Sequence, residues 1–381
     1  MIKNVFIIGA RGYHYNYGGW ETFVSKLVDN YNDKKTLFHI SEISDKQNNK
    51  VVTNKINDNI IVDSFYIKQS GSTKMLICTI KAFNYYLDYI KKNNIKNAYI
   101  YVLGLKLGPM LSLKKKQINK LGIKIIINPD GLEHERAKWN TFIKKFFLLS
   151  EKWMVKNSDI IICDAIGIKK YLDNKYPSIK DKTTYIAYGT NKIDTSELDE
   201  KEVLKKYKLE SKDYFLMVGR FVPENNYELV INSFMKTKTN KKLVIVSNIS
   251  TSTYYNELIT KNNCLDDKRI IFYDGRYNEK ELTIIRKNAL AYIHGHSVGG
   301  TNPSLLEALD NTNINILFDV EFNKDIGKDS CLYFNNENKL INIIDNINTY
   351  DEKQMGLECK KIINDKFRWN LIVNEYKKIF K

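Results

Sequence analysis

The chain has 381 residues, of which 43% are hydrophobic, and a formal net charge of +16. This length predicts two domains of ordinary size, and the lack of any run of about 18 apolar residues argues against a membrane-spanning helix. The five cysteines are scattered and never form a Cys-x-x-Cys pair, which argues against a disulfide framework or a zinc site.

The amino terminus leads directly into a strand pattern, without the apolar segment and cleavage site of a signal peptide, so we expect a cytoplasmic protein. Lysines are spread along the whole chain, and we find no RNA-recognition, zinc-finger or helix-turn-helix signature; we therefore expect no nucleic-acid partner. Two segments, Lys114 to Lys116 and 142–156, combine apolar bulk with positive charge, as a helix resting on an anionic membrane surface would. Packing of this helix on its own sheet is the more ordinary interpretation, and both stay open.

Strand-like apolar runs alternate with segments of helical length. In the first half of the chain the runs cover 5–8, 60–66, 98–103, 123–128 and 159–163. The alternation restarts in the second half, with runs at 214–218, 243–247, 270–273, 290–294 and 314–318. The pattern predicts an α/β protein with two Rossmann-like, doubly wound domains, in which ligands bind beyond the carboxyl ends of the strands.

The boundary between these domains is predicted near Gly189, where strand character gives way to small and polar residues. The first domain then covers 1–189 and the second covers 190–360. Apolar and aromatic residues recur near the end of the chain at the spacing of an amphipathic helix. We expect a C-terminal helix at 361–381 that ties the two domains together.

A glycine-rich turn between an apolar strand and a helix is predicted at 294–309. Asn302 stands at the N-cap position and Pro303 at the first helical position, so the unpaired amides from Gly300 to Leu305 should face an anion. Glu307 follows one turn later, and its carboxylate can accept hydrogen bonds from two neighbouring ribose hydroxyls. The expected ligand is a nucleoside diphosphate.

Two other loops carry candidate ligand contacts. Arg220 follows the first strand of the second domain, where a guanidinium can bridge two phosphoryl oxygens. In the first domain, Gly9-x-x-Gly12 does not complete a Gly-x-Gly-x-x-Gly fingerprint, so NAD binding has weak support. The later pair Gly18-Gly19 opens a helix and permits close approach of a phosphate or a sugar; a tight connection between strand and helix is the alternative.

Acidic and histidine side chains complete the candidates. Asp130 and Glu133 follow a strand of the first domain, where either could orient a sugar or act as a general base; a turn and a helix-start charge are the structural alternatives. His294 and His296 alternate at a strand end without a third ligand of matching spacing, so we expect no metal. We expect one imidazole, assigned to His296, to contact the donor while the other packs.

Together, the Gly18-Gly19 pair, Arg220 and the 299–307 turn resemble a retaining glycosyltransferase of the GT-B, family-four type, over nearly the whole chain. The strings Ile-Gly-Ala-Arg-Gly at 8–12, Tyr-Gly-Gly-Trp-Glu-Thr-Phe-Val at 17–24, and Gly-His-Ser-Val-Gly-Gly-Thr-Asn-Pro-Ser at 295–304 resemble rhamnosyltransferases of bacterial capsule and cell-wall polysaccharide synthesis.

The resemblance implies a GT-B fold with two domains facing a central cleft. It also implies transfer of L-rhamnose from dTDP-rhamnose to a sugar on a polyprenyl-diphosphate carrier, at the cytoplasmic face of the membrane. The first domain would bind the acceptor and the second the nucleotide-sugar, which is a substrate, so no cofactor and no metal are expected. A cytoplasmic protein resting on the inner face of the cell membrane would fit this activity.

Two departures from the family concern the donor. Gly299 replaces the first acid of the family's Glu-x7-Glu motif, which contacts donor sugar hydroxyls, and Asn225 replaces a lysine that accompanies Arg220 on the diphosphate. A UDP-hexose-dependent transferase of the same fold, a noncatalytic nucleotide-sugar-binding subunit and an NAD-dependent enzyme remain alternatives. The expected donor-binding residues are Gly18, Gly19, Arg220, Asn225, His296, Gly299, Gly300, Thr301, Asn302 and Glu307, and the expected catalytic residues are Asp130, Glu133 and Arg220.

Overall fold

The structure is a computed structural model that describes residues 2–14, 19–48, 50–69, 71–129, 140–275 and 278–381. The chain divides into two compact units. The first contains Met1–Tyr188 and Trp369–Lys381, and the second contains Gly189–Arg368. Within the described ranges, no helix is long and apolar enough to cross a bilayer.

The first unit is built on an eight-stranded sheet. Its strands are β1 (Lys3–Ile8), β2 (Thr36–Ser44), β3 (Val52–Asn57), β4 (Ile60–Tyr66), β5 (Ala98–Leu103), β6 (Lys124–Asn128), β7 (Ile160–Cys163) and β8 (Thr183–Tyr185). They are arranged in the order β3-β4-β2-β1-β5-β6-β7-β8. The edge strand β3 pairs antiparallel with β4, and the other pairs are parallel.

Helices follow the strands of the first unit: α1 (Gly19–Asp29), α2 (Ser72–Lys92), α3 (Gly108–Lys120), α4 (Thr141–Asn157) and α5 (Ile166–Lys175). The central strand β5 is a continuous apolar run because every one of its residues is buried. On α2, the buried residues Phe83, Tyr86, Leu87 and Ile90 share the helical spacing that covers one face of the sheet.

The second unit is built on a six-stranded parallel sheet. Its strands are β9 (Tyr214–Val218), β10 (Lys242–Ser247), β11 (Ile270–Asp274), β12 (Ala291–His294), β13 (Ile314–Phe318) and β14 (Leu332–Phe334). Their order is β11-β10-β9-β12-β13-β14, so the strand order reverses between β9 and β12. In doubly wound sheets this reversal opens a crevice at the carboxyl ends of the strands, where ligands bind.

The helices of the second unit are α6 (Glu200–Lys206), α7 (Tyr227–Met235), α8 (Thr253–Asn262), α9 (Glu279–Asn288), α10 (Pro303–Asn311), α11 (Glu321–Gly327), α12 (Glu337–Asp345) and α13 (Glu352–Lys366). Two Rossmann-like units with parallel sheets confirm the predicted fold class. The sequence spacer 224–236 becomes a short turn followed by α7, because Asn226 adopts a left-handed conformation with φ of 53°.

The C-terminal segment 361–381 forms two helices rather than one. The first is the end of α13, and the second is α14 (Trp369–Ile379), which belongs to the first unit. Between them, the carbonyl of Phe367 accepts a hydrogen bond from the amide of Thr190 at 2.7 Å. Arg368 donates to both carboxylate oxygens of Asp310 at 2.7 and 2.6 Å. These contacts anchor the break within the second unit.

Candidate functional site

The loops that follow β9 and β12 are joined by direct hydrogen bonds. Ser297 donates to the carbonyl of Glu224 through its amide at 2.9 Å and through its hydroxyl at 2.8 Å. The side-chain amide of Asn226 donates to the carbonyl of Gly295 at 2.7 Å. Both loops therefore form one surface at the carboxyl edge of the sheet, where the strand order reverses.

Gly295 is required for this close approach. A Cβ at this position would lie 2.2 Å from the carbonyl oxygen of Asn225, far inside van der Waals contact. We expect Gly295→Ala to lower the free energy of unfolding by about 1–3 kcal/mol, because one of the two loops must move. Urea denaturation measures this change. Gly167→Ala is the matched control, since a Cβ there meets no heavy atom within 4 Å; an equal loss in both variants would contradict the assignment.

The N-cap predicted at Asn302 is confirmed. Its side-chain oxygen accepts from the amide of Ser304 at 2.9 Å, Pro303 is the first residue of α10, and the amide of Leu305 donates to the carbonyl of Asn302 at 3.1 Å. The expectation that all amides from Gly300 to Leu305 face a ligand is therefore wrong for Ser304 and Leu305, since capping pairs them inside the helix. The anion-binding interpretation shifts to the turn at 299–302, in which Thr301 is buried and already has a partner.

Gly299 adopts a backbone conformation that favours glycine, with φ of +135°. A Cβ at this position would meet no heavy atom within 4 Å, so the backbone rather than the available space disfavours a side chain. The first acid of the Glu-x7-Glu motif would therefore be strained here. The backbone conformation of the turn thus favours glycine at this position.

Arg220 lies two residues beyond the buried strand β9 and is exposed. The side-chain amide of Asn225 donates to the carbonyl of Arg220 at 2.8 Å. Asn225 is among the residues expected to contact the nucleotide-sugar. Its side chain is buried and fixes the turn that presents Arg220. The guanidinium stands at the same edge of the sheet as the turn at 299–302.

Glu307 forms an ion pair that the sequence did not predict. Its Oε2 lies 2.6 Å from Nη2 of Arg286, whose side chain is 2% exposed, whereas that of Glu307 is 31% exposed. The sequence contains one indication of a buried cation: Arg286 lies four residues after Leu282, on the buried face of α9. The pair fixes the carboxylate through Oε2.

His294 and His296 stack with their ring centroids 4.1 Å apart and their planes 6° from parallel. Burial lowers the pKa of His296 to about 3, and the positive charge of Arg220 adds to this effect. Burial, followed by repulsion from His296, also lowers the pKa of His294. Both imidazoles are therefore neutral near pH 7, and neither contributes a positive charge toward a diphosphate. His294 is buried and His296 is partly exposed.

The depressed pKa of His296 predicts loss of stability in acid. The unfolded chain takes up a proton near the ordinary histidine pKa of 6.5, whereas the folded chain does so only at about 3. The contribution of His296 to the stability of the fold is therefore at its full value above about pH 6.5, and it declines as the pH falls toward 3. We expect the thermal midpoint to fall between pH 7 and pH 5, and to fall less in His296→Asn. Equal declines in both proteins would contradict the assignment.

The candidates in the first unit are described only in part. Gly18, Asp130 and Glu133 lie outside the described residues. Gly19 begins α1 and is exposed. The turn after β1 is held by a hydrogen bond from the amide of Arg11 to the carboxylate of Glu21 at 2.9 Å, and a Cβ at Gly9 would lie 2.3 Å from the carbonyl oxygen of Leu103. The turn therefore packs directly against the end of β5, with no room for a side chain at Gly9.

Comparison with protein families gives two matches that together follow the two units. Residues 2–191 match a domain of unknown function, DUF1972, and residues 199–350 match the family "Glycosyl transferases group 1". Among curated proteins, an uncharacterized glycosyltransferase of Methanocaldococcus jannaschii is 28% identical over 180 residues. That match covers 45% of this chain and 41% of the relative, so the chain spans less than half the length of this relative.

Solved structures resemble the whole chain. Sucrose-phosphate synthase from Thermosynechococcus elongatus aligns with a TM-score of 0.77 and 16% identity, covering 99% of this chain and 98% of the other. HepE of Anabaena, in complex with UDP-glucose, aligns with a TM-score of 0.72 and 10% identity over 100% and 99% of the two chains. The catalytic domain of starch synthase IV from Arabidopsis thaliana, bound to ADP and acarbose, aligns with a TM-score of 0.73 and 12% identity over 100% and 98%. At these identities the likeness establishes the fold.

The fold, with its two Rossmann-like units, matches that of solved GT-B glycosyltransferases. The second unit, which contains residues 199–350, is similar to the glycosyl transferase group 1 family.

Proposed function

We propose that this glycosyltransferase moves L-rhamnose from dTDP-rhamnose, with retention of configuration, to a saccharide on a polyprenyl-diphosphate carrier. The acceptor would be reached at the inner face of the cell membrane, in capsule or cell-wall polysaccharide synthesis. The observation that carries the donor site is the joined pair of loops after β9 and β12. It brings Arg220, the turn at 299–302 and Glu307 to one edge of one sheet.

The diphosphate is assigned to Arg220 and the turn at 299–302. Arg220 supplies a positive charge that neutral His296 does not, and a guanidinium can bond two phosphoryl oxygens at once. The start of α10 adds the positive end of the helix dipole. Together they stabilise the negative charge that grows on the diphosphate as its bond to the sugar breaks.

The nucleoside is assigned to Glu307. The deoxyribose of dTDP has a 3′-hydroxyl but no 2′-hydroxyl, so it offers the carboxylate one donor where UDP offers two. Arg286 engages Oε2 and leaves Oε1 to accept from the 3′-hydroxyl; the carboxylate has lone pairs enough for two hydroxyls as well, so the ion pair does not exclude UDP. UDP remains the second candidate, because HepE has been solved with UDP-glucose on the same fold.

The sugar assignment rests on the missing first acid of the motif. A glycine with φ of +135° at 299 removes a carboxylate that would accept from donor sugar hydroxyls. A deoxy sugar such as rhamnose has fewer hydroxyls to be satisfied. In the proposed reaction the acceptor hydroxyl attacks the anomeric carbon from the face that the diphosphate leaves. Its proton passes to a phosphate oxygen, while Asp130 or Glu133 orients the sugars.

Donor turnover tests this proposal. Purified protein is incubated with lipid extracted from membranes as the acceptor and either dTDP-rhamnose or UDP-glucose, and release of the nucleoside diphosphate is measured. Release from dTDP-rhamnose alone supports rhamnosyl transfer. Release from UDP-glucose alone overturns the donor assignment, and binding of either nucleotide without turnover supports the noncatalytic subunit.

A further inference from the structure

Helix α4 exposes an apolar stripe to solvent. Phe142, Phe146 and Leu149 are exposed at spacings of four and three residues, and Phe142 reaches 84%. Trp153 continues the same stripe one turn further and is partly exposed. The opposite face of the helix, with Phe147, Ser150, Glu151, Met154 and Val155, is buried. The helix therefore packs on its own sheet and still presents a second apolar face.

Lysines run beside this stripe. Lys145, Lys152 and Lys156 are exposed on α4 at positions adjacent to the apolar residues around the helix. The neighbouring helix α3 packs closely against α4, since Gly108 donates to the hydroxyl of Ser150 at 3.0 Å. Helix α3 also exposes one leucine, Leu113, at 79%, and lysines that include Lys116. Apolar side chains bordered by lysines match the acyl chains and anionic headgroups of a bilayer surface.

We propose that the stripe Phe142, Phe146, Leu149 and Trp153, with its flanking lysines, docks on an anionic phospholipid surface. The aromatic and leucine side chains enter the boundary between headgroups and acyl chains, and the lysines contact phosphate groups. A helix that lies in the plane of the interface needs no apolar segment long enough to span it. The net charge of +16 favours this approach to an anionic surface at long range.

The direction of α4 connects this surface with the acceptor. The helix ends at Asn157, just before β7 begins at Ile160, and its 17 residues extend for about 25 Å. In a parallel β-α-β unit the helix runs opposite to its strands, so Phe142 lies toward their carboxyl ends. Docking would bring that edge of the first unit to the lipid. The inference rests on the proposed function only in one respect, namely that the acceptor is linked to a lipid.

Vesicle flotation tests the inference without nucleotide or sugar, so its failure would leave donor turnover untouched. The full chain is mixed with vesicles of phosphatidylcholine, or of phosphatidylcholine with about one third phosphatidylglycerol. We expect binding to the anionic vesicles that weakens with added salt. Phe142→Ser with Phe146→Ser should weaken it at least tenfold, as should Lys145→Glu with Lys152→Glu.

Matched variants in the second unit test whether binding requires this surface, or only exposed apolar side chains and net charge in general. Leu265→Ser with Leu357→Ser removes two other exposed apolar side chains, and Lys201→Glu with Lys205→Glu makes the same change in net charge. Both should retain most of the binding. The inference is overturned if wild type does not float with anionic vesicles, or if control and α4 variants lose binding equally. It is also overturned if sedimentation shows that the stripe joins two copies of the chain.

Discussion

Replacing Arg220 by alanine is expected to lower the rate of nucleoside diphosphate release by about 10²- to 10³-fold, the usual cost of removing a preorganised donor at a developing negative charge. Arg220 is exposed at the edge of the sheet, and the neighbouring histidines are neutral, so they cannot replace its charge. Arg220→Lys keeps the charge but loses the planar fork, and it should recover part of the rate. Initial rates with saturating donor measure the effect.

The control for this variant is Lys238→Ala. Lys238 is also exposed, but it precedes β10 and so lies toward the opposite, amino-terminal edge of the same sheet. Its replacement should leave the rate within about twofold, because surface charges away from the site are weakly coupled to it. Wild-type turnover in Arg220→Ala would remove Arg220 from the diphosphate site.

Replacing Glu307 by alanine is expected to have two separable effects. Loss of one or two hydrogen bonds to a charged group should raise the dissociation constant for nucleotide by about 10- to 100-fold. Loss of the partner of Arg286, whose side chain is 2% exposed, should also cost about 3 kcal/mol of stability, the lower end of the usual range because Glu307 is 31% exposed. Calorimetric titration and urea denaturation measure the two effects independently.

A double variant separates the structural role of this ion pair from its binding role. Arg286→Met with Glu307→Leu replaces the pair by apolar side chains and should recover most of the stability, because no guanidinium is left buried without a partner. It should not recover nucleotide affinity. If both stability and affinity returned, Glu307 would serve the fold and not the ligand.

Much of the fold could be predicted because buried parallel strands are continuous apolar runs. The strands at 60–66, 98–103, 214–218 and 314–318 have the predicted bounds. The unpredicted strands β2 and β3 lack that signal: β2 contains His39, Ser41 and Glu42 among its apolar residues, and β3 is exposed along its whole length. β14 has three residues, too few to establish a period.

The start of α10 was predicted because local sequence determines local geometry there. Asn302 and Pro303 have residue types that start a helix, and the structure places them in those positions. Arg286 could not be assigned to Glu307 from sequence, because the two are brought together by the packing of α9 and α10. The depressed pKa of His296 likewise depends on burial and on Arg220, which lies 76 positions earlier in the numbering of the chain.

Amide hydrogen–deuterium exchange with and without saturating dTDP or UDP tests the location of the donor site most directly. We predict slower exchange at 219–226 and 295–302 on nucleotide binding, whichever nucleotide proves to be the donor. Unchanged exchange in both segments, with protection confined to the turn at 9–14 of the first unit, would contradict the assignment of the nucleotide to the second unit.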